Sequence, residues 1–377
     1  MNWLKSTLSA AVGTQEPEYG PDAIQSVAQQ TAETPFTILT KDHLKWKALQ
    51  YTNVETQTFY VMANSGEVVM AQVIYSNIAG IHTTAHLNTK IFNLKGGPHI
   101  WHSDPLSNFM FDEKMLSFGA DNMTITLNEE GDSYHIKSTV NPDSIVDLKF
   151  TRTAPGFAVG KNGTSNFGTD PAKPWGSMSH AFWARCSVEG SITTKEKSYD
   201  LAGRGVFIPA LQGMKPHHAA ARWNFLNFQT PTYSAIMMEF TTPPSYGSTT
   251  VNVGGILKDG EIIYAGSTNT ATHTASATDP ESEWPEPTSI KWEWTGKTSD
   301  GQEVTAVVDG PLGKRLDRVD VMGEVPGFIK AIAGSVAGTR PYIFQFAPTE
   351  KLSLKLKIGD IEVVEEGTLY CESTFIS

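Results

Sequence analysis

The ten histidines are the residues of this chain best equipped for chemistry, and their spacing sorts several of them into pairs. His99 and His102, and His82 and His86, stand at separations that recur among metal ligands, while His217 and His218 are adjacent. No pair forms the HExxH pattern and no cysteine pair accompanies them, so the donor set of a zinc site is not assembled. On a strand, residues four apart share a face but lie too far apart to chelate one ion easily. These histidines therefore read as polar loop groups or hydrogen-bonded core groups, and neither a metal nor a cofactor is expected. There is no Walker A loop and no GxSxG elbow. "KNGTSNFGT" is rich in Gly and Asn without the glycine spacing of a nucleotide site. Carboxylates are plentiful, yet none is marked as half of an acid–base pair. If the chain were an enzyme, His217 and His218 would be the first imidazoles to inspect.

The elements that must position such groups are mostly strands. "TFYVMANSGEVVMAQVIYSNI" holds two strand-like runs broken at Asn64-Ser65-Gly66, a hairpin signal. The same pattern recurs around Glu130-Gly131-Asp132, Asp259-Gly260, Asp300-Gly301 and Gly359-Asp360. Repeated hairpins with few long helical patterns predict antiparallel sheets, as barrels or sandwiches. "EVVMAQVIY" and "YSAIMMEF" are apolar on both faces. Strands covered on both sides do this, and so do barrel strands with a lipid-filled interior on one side. Met237 and Met238 add adaptable surface that suits a variable ligand or an ordinary core gap.

Two segments have helical periodicity: the first dozen residues, and "VPGFIKAIAGSVAG", with Pro326 near its start and Gly338 at its end. Residues 14–40, with Pro17, Pro21 and Pro35, read as a linker. In "MKPHHAAARWNFLNFQ", Trp223, Phe225 and Asn227 alternate onto one strand face, and Asn224, Leu226 and Phe228 onto the other. Large apolar groups on both faces are expected where one domain leans on its neighbour. The segment then reads as an interdomain seam, or as a seam that also borders a bound lipid or a catalytic pocket, with His217 or His218 as its polar handle.

A chain of 377 residues with 40% hydrophobic and 18% charged residues can bury a sizeable core. Its formal net charge of −11 leaves no basic surplus for neutralising phosphates, so nucleic acid is not expected as a partner. Two cysteines fit a reducing compartment better than a disulfide framework. No apolar run approaches the ~20 residues that span a bilayer as a helix.

On a helix, Met1, Trp3, Leu4, Thr7, Leu8, Ala11 and Val12 fall in one sector, opposite Asn2, Lys5, Ser6 and Ser9. Gly13 suits the position after the last turn, and Pro17 ends any continuation. So short a helix is marginal alone in water and needs a surface to lie on. Burying Trp3, Leu4, Leu8 and Val12 contributes about 6–12 kcal/mol before ordering costs, which predicts reversible attachment to a membrane. The competing readings are a helix tucked against the protein's own barrel and a secretory signal peptide, whose apolar run Lys5 interrupts. Lys5 is the one basic residue on the polar face, and Glu16, Glu18 and Asp22 follow. Attachment then rests on insertion rather than on attraction to an anionic leaflet.

"MNWLKS…EPEYGPDAIQSV", "PWGSMSHAFWARCSVEGSI", "AGRGVFIPALQGMKPHHAAARWNFLNFQ" and "GEVPGFIKAIAGSVAGTRPYIFQF" resemble the fungal survival factor 1 family from one end of the chain to the other. The family's wider relatives include hydroxyneurosporene synthase-like hydratases and fungal pericyclases. The resemblance implies two tandem lipocalin-like antiparallel β-barrels behind an N-terminal amphipathic helix. The expected division is 1–13 for the helix, 14–40 for the linker, 41–217 for the first barrel and 218–377 for the second. It further implies a soluble carrier, not an enzyme, that takes a ceramide-like sphingolipid from the endoplasmic reticulum to the Golgi and supports survival under oxidative stress. Such a protein would be cytoplasmic, peripherally bound to those two membranes and found also in the nucleus. The implied membrane-contacting residues are Trp3, Leu4, Lys5, Thr7, Leu8, Ala11 and Val12. In the family that helix can be N-acetylated, whereas the Met1-Asn2 start here departs from the bulky apolar second residue of some relatives. Candidate lipid contacts are His217, His218, Trp223, Phe225, Phe228 and Met237. The rival expectation is a hydratase, isomerase or cyclase acting on an apolar substrate within the same scaffold.

Overall fold

All five turn signals join antiparallel pairs, because Gly and Asn or Asp supply the backbone conformations that tight reversals require. Asn53–Ala63 pairs with Val68–Ile78 through the turn at Gly66, whose φ of 100° excludes most side chains. Asp259-Gly260 links Thr250–Lys258 to Glu261–Gly266, and Asp300-Gly301 links Pro285–Lys297 to Glu303–Pro311. Glu130–Asp132 and Gly359-Asp360 close two further hairpins. These observations come from a computed structural model, which describes residues 17–94, 99–321 and 341–377. The amphipathic segment from Trp3 to Val12 and the helix expected around Phe328 lie outside the described residues.

The strands form two large curled antiparallel sheets. The first runs, neighbour to neighbour, through Ile100–Pro105, His82–Phe92, Val68–Ile78, Asn53–Ala63, Gly203–Gln212, Trp183–Thr193, Ile145–Arg152, Ser133–Ser138 and Met123–Leu127. The second runs through Glu261–Gly266, Thr250–Lys258, Tyr233–Thr241, Arg222–Gln229, Ile361–Phe375, Leu352–Ile358, Glu303–Pro311, Pro285–Lys297 and Thr270–Thr278. The short helix Pro216–Ala219 stands between them in the chain.

Each sheet curls around its own filled interior. Phe59, Tyr134, Phe150, Trp183 and Phe207 pack inside the first. Phe228, Trp292, Trp294, Phe344 and Phe346 pack inside the second. A third apolar cluster lies between the sheets and takes Tyr60, Met62, Val68, Met70, Phe92 and Ile208 from one, with Phe225, Ile236, Phe240, Val253 and Tyr370 from the other.

This seam explains the strands that are apolar on both faces. Along Val68–Ile78, Val69, Ala71, Val73 and Tyr75 face the first interior, whereas Val68 and Met70 face the seam. Along Tyr233–Thr241, Ala235 and Met237 face the second interior, and Ile236 and Phe240 face the seam. Both sides of these strands therefore meet protein. Cys186 and Cys371 are free and buried, and burial pushes both thiols well up from their ordinary range.

Residues 19–31 strap across the seam. Tyr19 and Gly20 donate their N–H groups to the carbonyl of Ser245 in the second half of the chain. Ile24–Gln25 then pairs with Thr164–Phe167 of the first, and the Thr31 hydroxyl meets that of Ser267 at 3.1 Å.

Candidate functional site

The period-two geometry of a strand sends alternate side chains to opposite faces. In Asn53–Ala63 it turns Val54, Thr56, Thr58 and Tyr60 toward the second sheet, and in Gly203–Gln212 it does the same for Ile208, Ala210 and Gln212. With Gln72, Met178, His180 and Leu211 these residues form one wall of a cleft at the seam. Trp223, Phe225, Met238 and Glu372 of the second sheet form the other. The cleft measures about 200 Å³. Most of its surface is apolar, and Thr56, Thr58, Tyr60, Gln72, His180, Gln212 and Glu372 supply its polar groups.

A hydrogen-bonded network holds the polar side in place. Glu372 Oε1 accepts from the Tyr370 hydroxyl at 2.5 Å, the Gln345 amide at 2.9 Å and the Tyr60 hydroxyl at 3.3 Å. Three donors converge on this one oxygen, the arrangement that charge-assisted hydrogen bonds to a carboxylate favour. Burial, followed by the Glu372 charge, holds the Tyr60 and Tyr370 phenols far above their usual range, so both remain donors. Gln345 also accepts from Lys90 Nζ at 2.8 Å, and Lys90 forms an ion pair with Asp317. Lys90 is 1% exposed, and its charge lies 5.0 Å from the ring centroids of both Phe92 and Trp101. A buried ammonium is tolerated when it is paired and its protons have acceptors.

A second polar tie crosses the seam further along. Arg185 is 0% exposed and donates to Asp259 at 2.7 Å, to the Ser234 hydroxyl at 3.1 Å and to the Pro231 carbonyl at 2.7 Å. It fixes the first sheet to two turns of the second.

His180 is the other ionisable group of the cleft. It is 6% exposed, its ring lies 5.8 Å from Trp223 in an edge-to-face arrangement, and burial brings its pKa down to about 4. The imidazole is therefore neutral near pH 7 and able to donate or accept.

The candidate contacts read from sequence are divided by this geometry. Trp223 and Phe225 line the cleft, with Phe225 stacked on Tyr60 at 5.3 Å. Phe228 and Met237 turn into the interior of the second sheet, and Met238 takes the place beside the cleft. His217 and His218 sit half-buried in the short helix, ring against ring at 4.3 Å, outside the cleft lining. Burial, then the neighbouring His217 and Lys215, lowers His218 to about 4, and burial with Lys215 also lowers His217.

Sequence reasoning did not single out Tyr60, Gln72, His180 or Glu372. Glu372 follows buried Cys371 near the end of Ile361–Phe375, where a single charge beside Ser373 and Thr374 reads as an ordinary exposed position. The usable signal for Tyr60 was the unbroken apolar run from Phe59 to Ala63, which marks a strand with two covered faces.

Two curled antiparallel sheets meeting at a seam cleft define a lipocalin-like β protein. The structure matches that of CghA with a TM-score of 0.60, at 11% identity over 94% of this chain and 98% of that one. It matches kievitone hydratase from Nectria haematococca with a TM-score of 0.55, at 13% identity over 96% and 99%. At these identities the likeness is one of fold. The chain belongs to the Svf1 family, whose model matches residues 1–377. It is 72% identical to the ceramide-binding protein svf1 of Aspergillus fumigatus over 100% of both chains.

Proposed function

We propose that this protein is a lipid carrier that holds a ceramide-like lipid at the seam between two lipocalin-like barrels. The observation that carries the reading is the cleft itself. There an apolar wall from both sheets meets polar side chains with hydrogen-bonding capacity to spare. The name of the Aspergillus relative supports the same ligand class. At about 200 Å³ the cleft is smaller than the ~300–1,000 Å³ of pockets that enclose a drug-sized ligand. It matches a headgroup and the first part of its chains. Accommodating a two-chain lipid requires Met178, Met238 and Trp223 to move aside, and unbranched methionines suit that role.

In this reading the amphipathic segment from Trp3 to Val12 docks the carrier reversibly on endoplasmic reticulum and Golgi membranes, and the body takes up lipid there for transfer. Support under oxidative stress would follow from maintained sphingolipid traffic. Catalysis is the alternative on this scaffold. It would need a group that converts the bound lipid, and the positions of His217 and His218 outside the cleft lining argue against those two.

Native mass spectrometry of the protein purified from its own host tests the reading. A co-purifying sphingolipid is expected, and a chain that is consistently empty would favour a membrane-recruited scaffold instead. Leu4→Asp should reduce flotation with liposomes at least fivefold while leaving the thermal midpoint unchanged. Equal flotation would remove the segment as the anchor.

A further inference from the structure

The charge pattern of the cleft is one-sided. Among its lining residues the ionisable groups are Tyr60, His180 and Glu372, with no Lys or Arg. The nearest buried cation in the network, Lys90, is engaged by Asp317 and Gln345. The three donors reaching Glu372 all converge on Oε1. Oε2 accepts no hydrogen bond among the described residues and belongs to a side chain that lines the cleft. His180 is more than nine-tenths buried, and its ring contacts Phe182 and Trp223 but makes no hydrogen bond among the described residues. Gln72, by contrast, already donates to Thr58 at 2.7 Å and accepts from Asn88 at 3.2 Å. Of the cleft's ionisable groups, a carboxylate oxygen of Glu372 and the buried imidazole of His180 thus keep hydrogen-bonding capacity for a ligand.

We propose that the cleft selects lipids whose headgroup is uncharged and rich in hydroxyl or amide donors, with Glu372 Oε2 accepting one of those donors, and that it rejects phosphate- or carboxylate-bearing lipids with the same chains. The proposal rests on reading the cleft as the lipid site and adds a rule for what enters it. An anionic headgroup would leave water to sit against a fixed carboxylate with no cation to offset either charge. A hydroxyl or amide N–H instead gains a charge-assisted hydrogen bond, which is stronger than a neutral one. A neutral His180 can complete the headgroup's bonding without supplying charge. Glu372 is held by Tyr60, Tyr370 and Gln345 from both halves of the molecule, so its position is fixed before a lipid arrives.

The test is competition against a fluorescent short-chain ceramide bound to the full chain, with unlabelled ceramide and ceramide 1-phosphate of matched chains. Ceramide should displace the probe at a concentration at least tenfold below that of ceramide 1-phosphate. In Glu372→Gln, which keeps an acceptor and removes the charge, the gap should close to about threefold or less through improved binding of the phosphate. Equal competition on the parent protein would overturn the proposal, whether or not the variant folds. So would an unchanged gap in a folded Glu372→Gln. Met238→Trp, which fills the cleft, should weaken probe binding at least tenfold. If the parent does not bind the probe, or if folded Met238→Trp binds it as the parent does, the cleft is not the lipid site and both readings fall together.

Discussion

Phe59 and Tyr60 are successive residues of one strand, and they face two different kinds of interior. Phe59 points into the first sheet and stacks on Phe207 at 4.6 Å, among Tyr134, Phe150 and Trp183. Tyr60 points into the seam, stacks on Phe225 and donates to Glu372. The sheet interiors are filled mainly by large apolar side chains, and their energetics are those of packing. The seam combines comparable burial with an ammonium, a guanidinium, a carboxylate and an imidazole, so it also carries electrostatic costs that particular partners offset. A region of the first kind specifies a fold. One of the second kind can exchange partners, and a binding site needs that capacity.

The comparison breaks most visibly where packing alone is at stake. Phe207→Ala and Trp294→Ala each empty a fully buried site in one interior and should cost about 3–5 kcal/mol of stability by urea unfolding. Neither should alter the lipid selectivity of whatever folded protein remains. A changed ceramide preference in these variants would show that the interiors take part in binding.

Arg185→Leu probes the seam. It removes the donors to Asp259, Ser234 and Pro231, and a loss of about 3 kcal/mol is expected, since hydrogen bonds to charged groups contribute ~1.5–3 kcal/mol each and Leu recovers part of the packing. A neutral result would mean that the seam is held by apolar contact alone.

The seam should also respond to acid through His180. His180 has a folded pKa of about 4, below the ~6.5 of an unfolded histidine. As pH falls, the unfolded chain binds this proton first, so stability is lost from about pH 6.5 downward toward the folded value. By linkage this group alone should cost about 2 kcal/mol between pH 7 and pH 5. Unfolding midpoints at those two pH values should therefore differ less in His180→Gln than in the parent, and parallel curves would contradict this assignment.

The smallest effect belongs to a surface pair. Lys357 and Glu362 lie 3.2 Å apart with 53% and 72% of their side chains exposed. Solvent screening leaves such pairs ~0–1 kcal/mol, so Lys357→Ala should shift stability by less than about 0.5 kcal/mol. A larger loss would mean that burial is not what separates the seam ties from surface ion pairs.

The amino-acid sequence by itself determined the class of structure and its reversals. Asn64-Ser65-Gly66, Asp259-Gly260 and Asp300-Gly301 fix hairpins because turn geometry depends on a few adjacent residues, and the alternation around them marks strands. It also placed Trp223 and Phe225 at a seam, because both faces of their strand were visibly apolar. What only the tertiary structure decided is which of those faces meets which partner. Met237 and Met238 are equivalent in composition and adjacent in the chain, yet one fills an interior and the other lines the cleft, since pleating sends neighbours to opposite faces. Glu372 meets Tyr60 across 312 positions, and Lys90 meets Gln345 across 255. No local pattern encodes pairings of that length. They arise when two independently curled sheets press together, and the cleft with its one carboxylate exists only where they do.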